Sequence, residues 1–180
     1  MKKGKILIVD DNEDILFTLK LLLRPLAESV TLLSDPRELL PVISRTRFDV
    51  ILLDMNFRRD AVSGKEGFHW LEEILRLDAK AVVIFITAYA DTEKAVQAIK
   101  QGATDFIPKP WQNEKLLATV SSALQLSFSR TEVEALKNDI LTFGKIRGSY
   151  AEVGMAGEYV PSYYYTPSYG GGFFQGTPIM

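Results

Sequence analysis

The sequence predicts an α/β domain: a doubly wound, five-stranded parallel sheet flanked by five helices. Short, continuous apolar runs recur at Ile6–Val9, Val30–Leu33, Val50–Leu53, Ala81–Ile86 and, more briefly, Phe106–Ile107. Such runs suit strands buried on both faces. Segments of helical period lie between them, and that alternation implies right-handed crossovers. Functional residue types also stand just after four of the runs: Asp10 and Asp11, Asp54, Thr87 and Lys109.

Each element has its own signals. The first strand ends at Asp10, and Ile15, Leu19, Leu22, Leu23 and Leu26 mark the helix after it, which should end or kink near Arg24 because Pro25 lacks a backbone donor. After the second strand, Asp35 reads as an N-cap, Pro36 as the first helical residue and Glu38 as the return partner of a capping box. Pro41 predicts that this helix is short or distorted. The third strand ends at Asp54, and Leu71, Ile74, Leu75 and Leu77 carry the third helix. Thr87 follows the fourth strand, and the helix Thr92–Gln101 closes on Gly102 as its C′ residue. Lys109 follows the fifth strand, and the last helix fills the chain to about Leu126.

Residues 1–126 therefore form the predicted domain. In 127–143, Ser129 and Glu132 could cap a new helix, and Val133, Leu136, Ile140 and Phe143 follow heptad spacing. That extension either pairs with a second copy or lies on its own domain. From Gly144 the composition changes: residues 144–180 hold 8 of the 12 glycines and 6 of the 7 tyrosines. This tail reads as a linker or disordered segment, or as an aromatic segment docked on a surface.

Composition narrows the function. A chain of 180 residues, 47% hydrophobic, supports one ordinary domain with an appendage. A net charge of −2 gives no basic footprint for nucleic acid. No cysteine means no disulfide, thiolate site or thiol nucleophile. No run is long enough to span a bilayer, and the start does not read as a signal peptide, so the expectation is a cytoplasmic protein without membrane contact.

Ligands of an open parallel sheet bind outside the carboxyl ends of its strands, where Asp10, Asp11 and Asp54 would meet. Three such carboxylates repel one another, and a hard divalent ion, Mg2+ before others, would relieve the repulsion. A carboxylate can attack phosphorus and form an acyl phosphate, with Lys109 contacting phosphoryl oxygens and Thr87 donating a hydroxyl. Taken singly, each residue has an ordinary explanation. Asp10, Asp11 and Asn12 could merely cap the first helix, Thr87 could close a turn, and Lys109 could be a solvated surface charge. Their joint placement after four strands favours the chemical reading.

These segments, KILIVDDNEDI, VILLD, FITAYAD and GATDFIPKP, resemble the receiver domain of two-component response regulators over roughly Lys3 to Leu126. Within that family, AVQAIKQGATDFIPKPWQNEKLLATV is most similar to receivers preceding the ATPase domain of enhancer-binding transcription activators of the nitrogen-regulation class. The resemblance implies a flavodoxin-like fold with strand order 2-1-3-4-5, and Asp54 as the acceptor of a phosphoryl group from the phosphohistidine of a sensor kinase. It implies Mg2+ held by Asp10, Asp11, Asp54 and the backbone carbonyl near Asn56. Lys109 would bind the phosphoryl group and join Pro110 through a cis bond. Thr87 and Phe106 would switch, and Asn56 and Tyr89 would modulate the attack of water. Output would be homodimerisation through the fourth helix, fifth strand and fifth helix, with transcription downstream.

Two readings compete with it: an interaction module of the same fold that works without phosphorylation, and an aspartate-dependent phosphatase. The second is weakened by Asn56, which stands where that mechanism wants a second acid. The segment Met55 to Glu66 is longer than the family's usual turn and carries Arg58, Arg59 and Lys65, either solvated charges or contacts to phosphate or kinase. His69 reads as a packing or surface residue.

Overall fold

A parallel sheet must be covered on both faces, and here side-chain parity divides each strand between two cores. The computed structural model describes residues 3–57, 65–88 and 92–154. The strands are β1 (Gly4–Val9), β2 (Ala27–Leu33), β3 (Val50–Asp54), β4 (Val83–Thr87) and β5 (Asp105–Pro108), and the helices are α1 (Glu13–Leu23), α2 (Leu39–Ile43), α3 (Lys65–Leu77), α4 (Thr92–Lys100) and α5 (Asn113–Gly154). All pairings are parallel and the order is 2-1-3-4-5, as the family resemblance implied. Ile6, Ile8, Val50, Leu52, Ile84, Ile86 and Ile107 pack against α1 and α5 through Leu16, Leu19, Leu116 and Val120. The alternate residues Leu7, Val9, Ile51, Leu53, Val83 and Phe85 face Leu39, Leu71, Ile74 and Ala98.

The proline expectations agree with the structure. Helix α1 ends at Leu23, two residues before Pro25. A 3-10 turn at Pro36–Glu38, capped by Asp35, leads into the five-residue α2. Pro41 sits in the first turn of α2, where an amide has no intrahelical acceptor to lose. Gly102 takes φ +104° after α4, the left-handed geometry of a C′ residue.

The C-terminal expectations need correction. Ser129 and Glu132 do not cap a new helix; they lie inside α5, which continues through Leu126 and Phe143 to Gly154. Elongating a formed helix adds one bond per residue fixed, so interior Gly144 and Gly148, each costing about 1 kcal/mol against alanine, do not stop it. Side chains beyond Leu126 also hold α5 to the sheet. The Ser127 hydroxyl, 3.5 Å from Asp49 Oδ1, and Arg130, donating to the Lys80 carbonyl at 2.9 Å, both act at the amino ends of strands. Arg47 donates to Thr131 Oγ1 at 3.2 Å. The first compact unit of the chain accordingly ends at Val133, and Glu134 opens the second. Residues 155–180, with most of the tail, lie outside the described residues.

Candidate functional site

The register of the sheet builds the site. Val9 pairs with Leu53, Asp54 with Ile86, and Thr87 with Pro108, so the residues leaving β1, β3, β4 and β5 arrive at one edge. The amide of Lys109 donates to the carbonyl of Thr87 at 2.7 Å, tying the last two together. By parity Asp10 and Asp54 continue the rows of Ile8 and Leu52, as Lys109 continues that of Ile107. Thr87 continues the row of Phe85, on the α4 side.

Asp10, Asp54 and Thr87 are all buried, whereas Asp11 is half-buried. The Lys109 ammonium donates to Asp10 Oδ2 at 2.6 Å and to Asp54 Oδ1 at 2.9 Å. The remaining oxygens take backbone donors: Asp10 Oδ1 accepts from the amide of Asn12 at 2.9 Å, and Asp54 Oδ2 from that of Asn56 at 3.1 Å. Capping of α1 falls to Asn12, whose side chain accepts from the amides of Asp14 and Ile15. The capping explanation thus applies to Asn12, and the two aspartates before it are not needed for it.

Burial raises the carboxyl of Asp54 to about 6 from an ordinary 3.8, against the opposing pull of Lys109, with Asp10 adding to the rise. Burial alone would lower Lys109, but Asp54 and Asp10 outweigh it and its affinity for a proton rises. Three acids against one cation leave the site net negative. One oxygen each from Asp10, Asp11 and Asp54 lies within 4.8 Å of the others. Opposed ligands of a small octahedral cation stand about 4.2 Å apart, so the trio fits a divalent metal after small side-chain rotations.

Gly67 is a contributor that the sequence reading missed. A Cβ there would lie 2.6 Å from the carbonyl oxygen and 2.8 Å from the Cα of Met55, the residue after Asp54. Only glycine lets α3 lie against that backbone, which leads straight to Asn56. Its signal was visible as the one glycine inside an amphipathic helical stretch. Other expected residues are placed with less detail. Phe106 is half-buried against the core on the α4 side. The side-chain amide of Asn56 is buried without a hydrogen-bond partner among the described residues. The Lys109–Pro110 peptide is cis. His69 stacks beside Trp70 with ring centroids 5.2 Å apart, away from the carboxylates in sequence and in its contacts. Lys65 opens α3, while Arg58, Arg59 and Tyr89 lie outside the described residues.

A five-stranded doubly wound sheet with acids after β1 and at the end of β3 and a lysine after β5 defines a receiver-type domain. Residues 6–121 match the response regulator receiver domain model, and the chain belongs to that family of two-component signalling proteins. It is 28% identical over 138 residues to the transcriptional regulatory protein FixJ of Bradyrhizobium diazoefficiens, covering 77% of this chain and 65% of FixJ. Among solved structures, the N-terminal signal receiver domain of a response regulator from Bacteroides fragilis is 44% identical, with a TM-score of 0.62 over 68% of this chain and 98% of that one. NtrX from Brucella abortus, solved with ADP, gives 28% identity and a TM-score of 0.66, covering 76% of this chain but 29% of NtrX. The chain thus spans under two thirds of FixJ and under one third of NtrX. Receivers of this family are signalling domains rather than turnover enzymes, and among the described residues no helix is long and apolar enough to cross a membrane.

Proposed function

We propose that this receiver is a phosphorylation-driven switch in which Asp54 accepts a phosphoryl group from the phosphohistidine of a sensor kinase. The observation that carries it is the single lysine bridging two buried carboxylates, Asp10 and Asp54, inside a trio spaced for a cation. An Asp54 oxygen attacks phosphorus, the O–P bond forms as the P–N bond breaks, and the imidazole leaves with its electron pair. Asp10, Asp11 and Asp54, with the carbonyl near Asn56, would hold Mg2+, which when bound supplies countercharge to the phosphoryl oxygens. Lys109 leaves the Asp10 oxygen and donates to the phosphoryl group. Thr87 donates a hydroxyl from the α4 side, and Phe106 moves inward behind it. The rearranged α4–β5–α5 face then changes homodimerisation and transcription output, and Asn56 and Tyr89 set access for hydrolytic water.

The test is incubation of the chain with Mg2+ and acetyl phosphate, followed by peptide mass spectrometry. The expected product is one phosphoryl group on the Asp54 peptide, stable in acid and lost in base. Label that survives Asp54→Asn, or that never forms, overturns the reading. Turnover of p-nitrophenyl phosphate beyond one equivalent would favour the phosphatase instead.

A further inference from the structure

Helices α3 and α4 flank a groove of about 560 Å3, within the size range of small-molecule sites. Its floor is Phe68 and Leu75, both half-buried on the core. On the α4 side, Gln97 and Gln101 are exposed and four residues apart, which puts their Cβ atoms about 5–6 Å from each other. On the α3 side stand Lys65, His69 and Glu72, all exposed. The lysine and the glutamate are about 10 Å apart along the helix axis.

These groups select the occupant. A purely apolar ligand would strip water from two carboxamides and a carboxylate without replacing their hydrogen bonds. A ligand with several phosphates would set excess negative charge against Glu72. A flat ring with polar edges and a single anionic group satisfies the whole lining. Bases stack on aromatic side chains such as Phe68. A glutamine carboxamide pairs with N6 and N7 of adenine, whereas the paired acceptors of guanine call for arginine or lysine. A carboxylate accepts from ribose hydroxyls, and a lysine holds phosphate as a point charge. We infer that the α3–α4 groove binds an adenine nucleoside monophosphate, with Gln97 and Gln101 on the base, Glu72 on the ribose, and Lys65, with His69 one turn further on, toward the phosphate. The floor connects this groove to the carboxyl edge of the sheet. Phe68 meets Phe85 edge to face with ring centroids 5.8 Å apart, and Thr87 continues the row of Phe85. Resting on the reading of this chain as a switch that rearranges α4, occupancy of the groove and the state of Asp54 bias each other.

AMP titrated calorimetrically into the Asp54→Asn chain without Mg2+ should bind at one site per chain, and more tightly than GMP. Lys65→Met should weaken AMP at least about tenfold, to the level of adenosine, while leaving adenosine itself unchanged. Gln97→Leu with Gln101→Leu should weaken both ligands and remove the preference over GMP. These three side chains are exposed, so near-UV circular dichroism should be unaltered. No binding at millimolar AMP, equal affinity for AMP and GMP, or a Lys65→Met chain that binds AMP like its parent would overturn the inference. In the wild type, beryllofluoride with Mg2+ should shift the affinity for AMP, and an unchanged affinity would overturn the link to the switch. The first titrations use a chain that cannot accept a phosphoryl group, so failure of the groove and failure of the switch are read separately.

Discussion

Strand β3 carries an aspartate at each end, and the two are held in different ways. Asp49, just before its first residue, accepts from the amide of Lys5 at 2.7 Å and faces the Ser127 hydroxyl at 3.5 Å, both neutral donors fixed by the fold. Asp54, its last residue, shares the ammonium of Lys109 with Asp10. A neutral, covalently fixed partner makes a carboxylate part of the scaffold. A charged partner on a flexible stem can be exchanged for another cation or a phosphoryl group. One end of the sheet thus anchors α5, and the other is suited to chemistry.

Substitutions can break that contrast, beginning where the effect is largest. Lys109→Ala leaves Asp10 and Asp54 buried without their cation and should cost about 3 kcal/mol in denaturant unfolding, recovered in part by added Mg2+. The opposite sign is expected for Asp54→Asn. Burial raises Asp54 to about 6, above its unfolded value, so the folded chain binds that proton more tightly. The stabilisation is complete below about pH 4 and is lost as pH rises through about 6. Asparagine cannot ionise, so the variant should be more stable than the wild type by up to about 3 kcal/mol near neutral pH, with the gap closing toward about pH 4. A gap that widened on acidification would contradict the burial of Asp54.

At the other end, Asp49→Ala strands the Lys5 amide and should cost about 1–3 kcal/mol while leaving acyl phosphate formation intact. Loss of labelling in a folded Asp49→Ala protein would erase the distinction between the two ends. Gly67→Ala presses a methyl group on the Met55 backbone and should destabilise by about 1–3 kcal/mol, with weaker Mg2+ binding measured by calorimetry. The smallest stability change is expected from Thr87→Ala, which should still accept phosphate but respond weakly to beryllofluoride. One charge-assisted hydrogen bond supplies roughly 1.5–3 kcal/mol, whereas driving a switch from 1:99 to 99:1 needs about 5.5. An unchanged beryllofluoride response would remove Thr87 from the relay.

Much of this was legible in the chain because the relevant forces are local. Apolar runs of two to six residues, with Pro25, Pro41 and Gly102, placed the elements, and their order placed Asp10, Asp54, Thr87 and Lys109 at one edge. The end of α5 was misread because the apolar pattern weakens after Leu126 and Ser129 with Glu132 has the form of a capping pair, although both lie inside the helix. Gly67 was missed because what it touches, Met55, is twelve residues away in sequence.

By itself the sequence determined the strands, the turns and the residues that leave each strand, since hydrophobic period and backbone propensity act over a few residues. Only the tertiary structure decided which oxygens Lys109 takes, that Asn12 rather than Asp10 caps α1, and that Asp49 and Ser127 meet. Those outcomes depend on sheet register and on how deeply each charge is buried. Register and depth are set jointly by residues far apart in the chain, and no local pattern encodes them.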